Sequence, residues 1–324
     1  MIGFFYNPNI HPFSEYQLRF LDVQRSCKTL GIELIEGNYN YESWLNAVNG
    51  FENEPEKGER CKICFDDRLS KTIELAQELS ETKFTTTLLI SPLKSQNRLL
   101  EIGKRLETKF NIQFIFKDYR SKGGVEKQAK AVKENSLYRQ NYCGCLFALK
   151  NQRENQNRLM DEMISPVTNQ ILPASINERI EIFSNTTNEN NLIKESFLNY
   201  RLLQARVLIS KKPVPAYFLF YSHSEREKIS GRIESISDEV GFLNRGNIKI
   251  IPLSKFNVLA ESFFDSIFDI NLSVESEIAI RNILEKTSFS LSPIIILDNL
   301  PTEKLEIEIK SKIYVDERFM KKAK

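Results

Sequence analysis

Short apolar runs alternate with longer amphipathic stretches through the first half of the chain, which predicts strands and helices in turn. Ile2–Tyr6 is a strand-length apolar run that stops at the turn Asn7-Pro8-Asn9. Phe13–Leu30 has apolar residues at helical spacing, with Ser14 placed to cap the helix and Gly31 to end it. Ile32–Ile35 predicts the next strand, Tyr41–Val48 a short helix carrying Trp44, and Cys64–Leu79 a longer helix. Lys83–Ile90, rich in Thr, Leu and Ile, predicts a strand. Gln96–Phe110 predicts a helix, Gln113–Phe116 a strand and Val125–Asn135 a helix. This alternation points to an α/β fold with a mostly parallel, Rossmann-like sheet, in which ligands sit beyond the carboxyl ends of the strands. Two cysteine pairs and the Asn7-Pro8-Asn9 turn are expected at strand-to-helix transitions. The chain opens inside a strand, so the first strand of the sheet is expected to be missing.

The second half has a different texture. Ser165–Pro173 reads as a connector, followed by helices at Ile176–Phe183 and Leu192–Leu208 on either side of the polar stretch Thr186–Asn191. Strands are expected at Ala216–Tyr221, Ile248–Leu253, Pro293–Asp298 and Leu305–Val315, and an amphipathic helix at Glu275–Thr287. This half has no cysteine and one histidine, His223, which reads as a surface residue. The expected organisation is a metal and redox domain at 1–165 and an α+β extension at 166–324 whose role the residues do not disclose.

Composition narrows the picture. With 324 residues, 41% of them hydrophobic and 27% charged, the chain has the make-up of a soluble globular protein. No apolar stretch approaches the roughly 20 residues that span a bilayer. Residues 1–12 lack a basic leader, and their apolar run breaks at Asn7-Pro8, unlike a secretion signal. No membrane association, a cytoplasmic location and reduced thiols are therefore expected. The formal net charge is +2, and residues 166–324 carry 21 basic and 21 acidic side chains. Bulk charge offers no surplus for nucleic acid, so any RNA contact needs a local basic patch. Neither a G-x-G-x-x-G nor a Walker loop is present.

Four of the five cysteines fall into Cys61-x-x-Cys64 and Cys143-x-Cys145, while Cys27 stands alone. In a reducing compartment, closely spaced pairs suggest metal binding or thiol redox chemistry. Each pair suits one metal ion, one edge of a cluster, or an easily reduced disulfide. A zinc knuckle built from both pairs is the bland alternative, although the single spacer of the second pair fits zinc poorly. Cys27, inside a helical run, reads as a buried small hydrophobe.

Five ordered blocks carry a family resemblance. They are Phe5-Tyr6-Asn7-Pro8-Asn9-Ile10-His11-Pro12 with Glu15-Tyr16 and Arg19; Asn53-Glu54-Pro55; Arg60-Cys61-x-x-Cys64-Phe65-Asp66-x-Arg68-Leu69; Phe84-Thr85-Thr86-Thr87-Leu88 with Ser91-Pro92; and Leu137-Tyr138-Arg139-Gln140-Asn141-Tyr142-Cys143-Gly144-Cys145. From residue 3 to about residue 150 the chain resembles the cobalamin-independent epoxyqueuosine reductases, the QueH family, whose fold is of the adenine-nucleotide α-hydrolase-like type. The resemblance implies an oxidoreductase that reduces the epoxide of epoxyqueuosine at the wobble position of tRNA, the last step to queuosine. It implies a [4Fe–4S] cluster with Cys61 and Cys64 as metal ligands, and a further mononuclear iron. It also implies an unidentified low-potential electron donor, and Cys143/Cys145 as a redox-active pair or ligands of the extra iron. Family members carry a Cys-Cys pair upstream of the first block, which these residues do not include. Either the natural start lies further upstream or the chain is a degenerate relic that binds tRNA or zinc. The four retained thiols favour the upstream start.

The same residues have plainer readings. Asp66 offers an oxygen ligand or a proton, or merely an acidic group in a helix's first turn. His11 stands in a turn after a strand, and the family block implies a substrate or proton-transfer role for it, with Asn7, Asn9 and Tyr16 as polar companions. Thr86, within Thr85–Thr87, suits phosphate or ribose, or simply a strand. Arg60, Arg68 and Arg139 flank the thiols and suit the tRNA backbone, a lowered thiol pKa, or solvent. Tyr138 suits stacking on an extruded base, as does Tyr142, or a place in the core. A thiol oxidoreductase using Cys143/Cys145 without iron is the remaining alternative.

Overall fold

A computed structural model describes residues 1–321 apart from 92–93, 122, 136, 165, 167–169, 185–191 and 288. The expected polar stretch Thr186–Asn191 and much of the connector lie outside the described residues. Two compact units are present: Met1–Met163 with Arg179–Ile193 and Phe319–Lys324, and Ile164–Glu178 with Lys194–Arg318.

The first unit contains β1 (Ile2–Phe5), α1 (Phe13–Leu30), β2 (Glu33–Glu36), α2 (Tyr41–Ala47), α3 (Glu59–Glu78), β3 (Lys83–Phe84), α4 (Gln96–Phe110), β4 (Gln113–Phe114), α5 (Gly124–Glu134) and α6 (Leu146–Asn155). Its strands pair in parallel. Ile2 faces Glu33 and Phe5 faces Glu36 in one pair; Lys83 faces Gln113 and Phe84 faces Phe114 in the other. Parallel neighbours require a long crossover, supplied here by α1 and by α4. The parallel α/β character is therefore present, but as two separate two-stranded pairings.

The second pairing sits in an apolar core. Phe65, Leu69, Ile73 and Ala76 recur on one face of α3 and pack with Leu99, Ile102 and Leu106 of α4 and with Phe84, Ile112 and Phe114. Gly103 lets α4 approach closely, since a Cβ there would lie 2.1 Å from the Phe114 ring. Beside β1, Phe5, Ile10 and Tyr16 form a smaller cluster with Phe20 and Leu34.

α7 (Ile176–Ser184) leads to β5 (Leu192–Ile209), β6 (Lys212–Val214), β7 (Tyr217–Phe218), β8 (Lys228–Gly231), β9 (Ser235–Ser237), β10 (Val240–Leu243) and β11 (Ile248–Pro252). α8 (Leu253–Leu259), α9 (Val274–Glu285), β12 (Ile294–Leu297) and β13 (Leu305–Lys321) complete the chain. A five-stranded sheet runs β7-β12-β11-β10-β9 and a four-stranded one β6-β5-β13-β8. β11 and β12 are buried along their whole lengths, as strands covered on both faces must be; β12 reads as a continuous apolar run, and β11 is apolar apart from Lys249, which pairs with Glu285 at 2.7 Å.

Several expectations are corrected. Leu192–Leu208 is strand, not helix. Its Glu, Lys, Arg, Gln and Leu residues favour helix weakly, and pairing with β13 overrides them through Arg206–Glu308 at 2.6 Å and Lys194–Glu317 at 2.8 Å. Lys83–Ile90 is strand only to Phe84; Thr86 then caps a 3₁₀ turn by accepting a hydrogen bond from the Leu88 N–H. Ser14 does not cap α1, whose N-cap is Pro12, while Gly31 ends the helix at φ 64° as expected. α3 begins at Glu59, so Cys61 and Cys64 lie inside the helix rather than at a strand end. Cys143 and Cys145 follow a loop, and only the Asn7-Pro8-Asn9 turn follows a strand. His223 is half-buried, its Nδ1 2.7 Å from the Ser311 hydroxyl. Cys27 is half-buried. Among the described residues no helix is long and apolar enough to cross a membrane.

Candidate active site

Cys61, Cys64, Phe65 and Arg68 stand at i, i+3, i+4 and i+7 on one face of α3, so a single helix presents two thiols and a guanidinium together. Cys61 lies in the first turn, where the Lys57 backbone N–H donates to its sulfur at 3.3 Å. Burial pushes the Cys64 thiol up, partly opposed by Arg68 and the nearby Trp44 N–H.

The second pair arrives on the loop before α6, with Cys145 as the N-cap residue of that helix. Gly144 between them has φ +103°, and a Cβ there would lie 2.7 Å from Ile10 and 3.1 Å from Arg19. Only glycine suits this conformation and this space. The His11 N–H donates to the Gly144 carbonyl at 2.9 Å, and the Tyr142 hydroxyl donates to the His11 carbonyl at 2.6 Å. The Arg19 guanidinium donates to the Tyr142 carbonyl at 2.9 Å and to Glu15 at 2.7 Å. Within the pair, the adjacent Cys145 thiol, aided by Lys94, lowers the Cys143 pKa to about 6, and the neighbouring Cys143 together with burial holds Cys145 protonated.

One cavity gathers all four sulfurs, together with Asn9, Trp44, Arg60, Phe65, Arg68 and Lys94. Among the described residues the lining contains three cations and no carboxylate. Buried polar atoms without partners concentrate here: Asn9 Oδ1, Trp44 Nε1, Arg60 Nε and Nη2, and Arg68 Nε. Among the described residues no three His, Cys, Asp or Glu side chains converge as for one metal ion. A single zinc needs about 2.3 Å to every sulfur, whereas a cluster spreads its thiolates over separate irons. Sulfur donors, surrounding cations and orphaned N–H groups suit a sulfur-ligated anionic group.

The other expected residues divide. Asn9 lines the cavity, and Asn7 accepts a hydrogen bond from Arg68. Asp66 does not line it: two residues past Cys64 is about 200° around a helix, and Asp66 pairs with Arg105. The half-buried neighbour Asp67 instead meets Tyr6, whose hydroxyl is pushed up to about 12 by burial and by that carboxylate. His11 stacks on Tyr41 at 4.5 Å, and burial lowers its pKa. Tyr16 is buried with its hydroxyl on Glu36 at 2.8 Å. Tyr138 donates to Glu15 at 3.2 Å. Thr86 spends its hydroxyl on the 3₁₀ turn, and Arg139 is exposed. Trp44 and Lys94 escaped the sequence reading as site residues. Trp44 had the signal of being the single tryptophan, and Lys94 had none.

Comparison with known proteins identifies the family. The family model for epoxyqueuosine reductase QueH matches residues 1–151. A Helicobacter pylori protein named epoxyqueuosine reductase QueH is 40% identical over 96% of this chain and 90% of its own length. The chain belongs to the QueH family. Relatives of the same name from Thermotoga maritima and Haemophilus influenzae are 38% and 37% identical, each over 47% of this chain and over 80% and 62% of their own lengths. The Helicobacter pylori QueH match thus extends well beyond the residues of the family model.

Proposed function

We propose that this epoxyqueuosine reductase reduces the epoxide of epoxyqueuosine in tRNA at the four-thiol cavity, with Cys61 and Cys64 holding an iron–sulfur group and Cys143/Cys145 acting as a redox pair. The observation that carries this reading is the meeting, among the described residues, of both cysteine pairs in one lining with three cations and no carboxylate. Bound there, an iron–sulfur group supplies low-potential electrons and an iron able to polarise a C–O bond.

The chain's residues account for the balance of the reaction. Removing the epoxide oxygen as water consumes two electrons and two protons and leaves a double bond. Oxidation of Cys143 and Cys145 to a disulfide releases two electrons. With Cys143 as thiolate and Cys145 as thiol, the pair brings one proton and water supplies the second. An external low-potential donor then reopens the disulfide. Arg68, fixed by Asn7, keeps a positive edge on the cavity. His11 is neutral because burial disfavours its charge, and its backbone rather than its ring holds the Cys143–Cys145 loop.

The test is anaerobic loading of the full chain with iron and sulfide, followed by a single turnover on epoxyqueuosine-tRNA. Iron uptake, queuosine formation and a Cys143–Cys145 disulfide in mass spectra of the trapped product are the expected results. C143S and C145S each abolish turnover while keeping iron. Zinc retention with no iron and no turnover would refute the reading in favour of a zinc-binding relic.

A further inference from the structure

Arg60 occupies an unusual position for a cation. Its side chain is 1% exposed, so water cannot solvate it. Nη1 donates to the Phe51 carbonyl at 3.0 Å and the Glu52 carbonyl at 2.7 Å, and the guanidinium lies 5.3 Å from the Phe147 ring centre. Nε and Nη2 have no acceptor, and Arg60 is in no ion pair with a carboxylate among the described residues. A guanidinium buried without a counter-charge is strongly disfavoured. Two carbonyl dipoles and a ring face offset only part of that cost.

The free edge of Arg60 borders the thiol cavity, whose lining includes Cys61, Cys64, Cys143 and Cys145. Among the described residues no carboxylate in that lining can serve as its partner. The other two cations are less in need: Arg68 bonds Asn7, and half-buried Lys94 lies 5.9 Å from the Phe65 ring centre. The two unpartnered nitrogens of Arg60, Nε and Nη2, therefore call for an anion seated on the sulfurs.

We infer that Arg60, through Nε and Nη2, donates hydrogen bonds to the sulfur-ligated anionic group of the cavity and raises its reduction potential. The inference rests on the reading of the cavity as an iron–sulfur site. The physical basis is direct. Reduction adds negative charge, which a fixed buried cation and N–H donors to sulfur favour. Arg60 would thereby act on electron transfer while holding the loop before α3 by its other nitrogen.

The full chain, loaded anaerobically with iron and sulfide, is to be compared with R60K and R60Q. Bound iron is counted, and the potential is read by redox titration of the visible absorption. R60Q is expected to keep iron and to shift to a more negative potential by at least a tenfold change in the reduction equilibrium, about 59 mV for one electron. R60K, which keeps charge but loses the planar fork, shifts the same way by less, and it carries the test alone if R60Q does not fold. Iron bound equally with all potentials unchanged overturns the role of Arg60 and leaves the cofactor reading intact. An R60K value equal to wild type overturns the hydrogen bonds. Wild-type protein that takes up no iron overturns both.

Discussion

Arg19 donates to the backbone carbonyl of Tyr142 at 2.9 Å across 123 residues of sequence, tying the first turns of α1 to the loop that bears Cys143 and Cys145. Its other side is held by Glu15 at 2.7 Å, and Glu15 is fully buried. The ion pair thus sets the position of the redox loop without contributing a reacting atom.

Removing Arg19 leaves Glu15 with the Tyr138 hydroxyl and the nearby Arg179 charge. R19M is expected to lower unfolding free energy by about 1–3 kcal/mol, the cost of losing a charge-assisted hydrogen bond in the interior. R19M combined with E15Q should recover part of it. Urea denaturation of the iron-free protein measures both, and a loss below about 1 kcal/mol for R19M would show that the pair is not a structural tie.

Cys143 should react as a thiolate well below the range of a free thiol. In reduced, iron-free protein, its carboxymethylation by iodoacetate should be near its plateau at neutral pH and fall to half of it at about pH 6. Cys145 should remain unmodified over the same range, because the neighbouring Cys143 and burial keep it protonated. C145A removes the neighbouring thiol, and the Cys143 profile should then move upward in pH. Peptide mass spectrometry after timed labelling reads all three.

Asp22 gives a pH dependence of the opposite sign to most carboxylates. Burial raises its pKa to about 6 even though it accepts the Tyr138 N–H at 2.9 Å and neighbours Arg25. Between the ordinary carboxylate value and about 6 the folded state binds the extra proton, so stability falls as pH rises through that window. The penalty is absent below about pH 4 and complete above about pH 6, with an upper bound near 3 kcal/mol for about two pKa units. D22N keeps an acceptor for Tyr138 and should flatten that part of the stability curve. An unchanged slope between pH 4 and 6 would contradict the burial argument.

Gly103 is a packing requirement rather than a turn. G103A drives a methyl into the Phe114 ring and should cost about 1–3 kcal/mol in thermal or urea unfolding. F114L, by shortening the ring, should lessen the cost of G103A. Additive effects would place the strain elsewhere.

How far the site could be read beforehand differs residue by residue. The pairs Cys61/Cys64 and Cys143/Cys145 were visible as chemistry from spacing alone, because two thiols a few residues apart have few structural uses in a reducing compartment. Asn9 was likewise placed in the site by its sequence block, and it lines the cavity. The sequence does not separate Asp66 from Asp67. Adjacent positions on a helix point some 100° apart, and which one turns inward depends on where the helix begins. α3 begins at Glu59, several residues before the apolar pattern suggested. Tyr16 and Tyr138 were drawn toward the substrate by their blocks, yet their hydroxyls are engaged by Glu36 and Glu15.

The sequence by itself determined the local elements whose signals are local. The helix Phe13–Leu30 ending at Gly31, the helix Gln96–Phe110 and the buried runs at Ile248–Pro252 and Ile294–Leu297 follow from apolar period and capping chemistry. Only the tertiary structure decided that Leu192–Ile209 is a strand, since its intrinsic preference is small and pairing with β13 outweighs it. Only the tertiary structure, too, brought thiols some eighty residues apart into one cavity and buried Arg60 at its edge with two donors unpaired. Contacts at such separation are fixed by the packing of α3 and α6 against a shared apolar cluster around Trp44. No period within either segment encodes that packing, because it depends on shape and volume supplied by the rest of the chain.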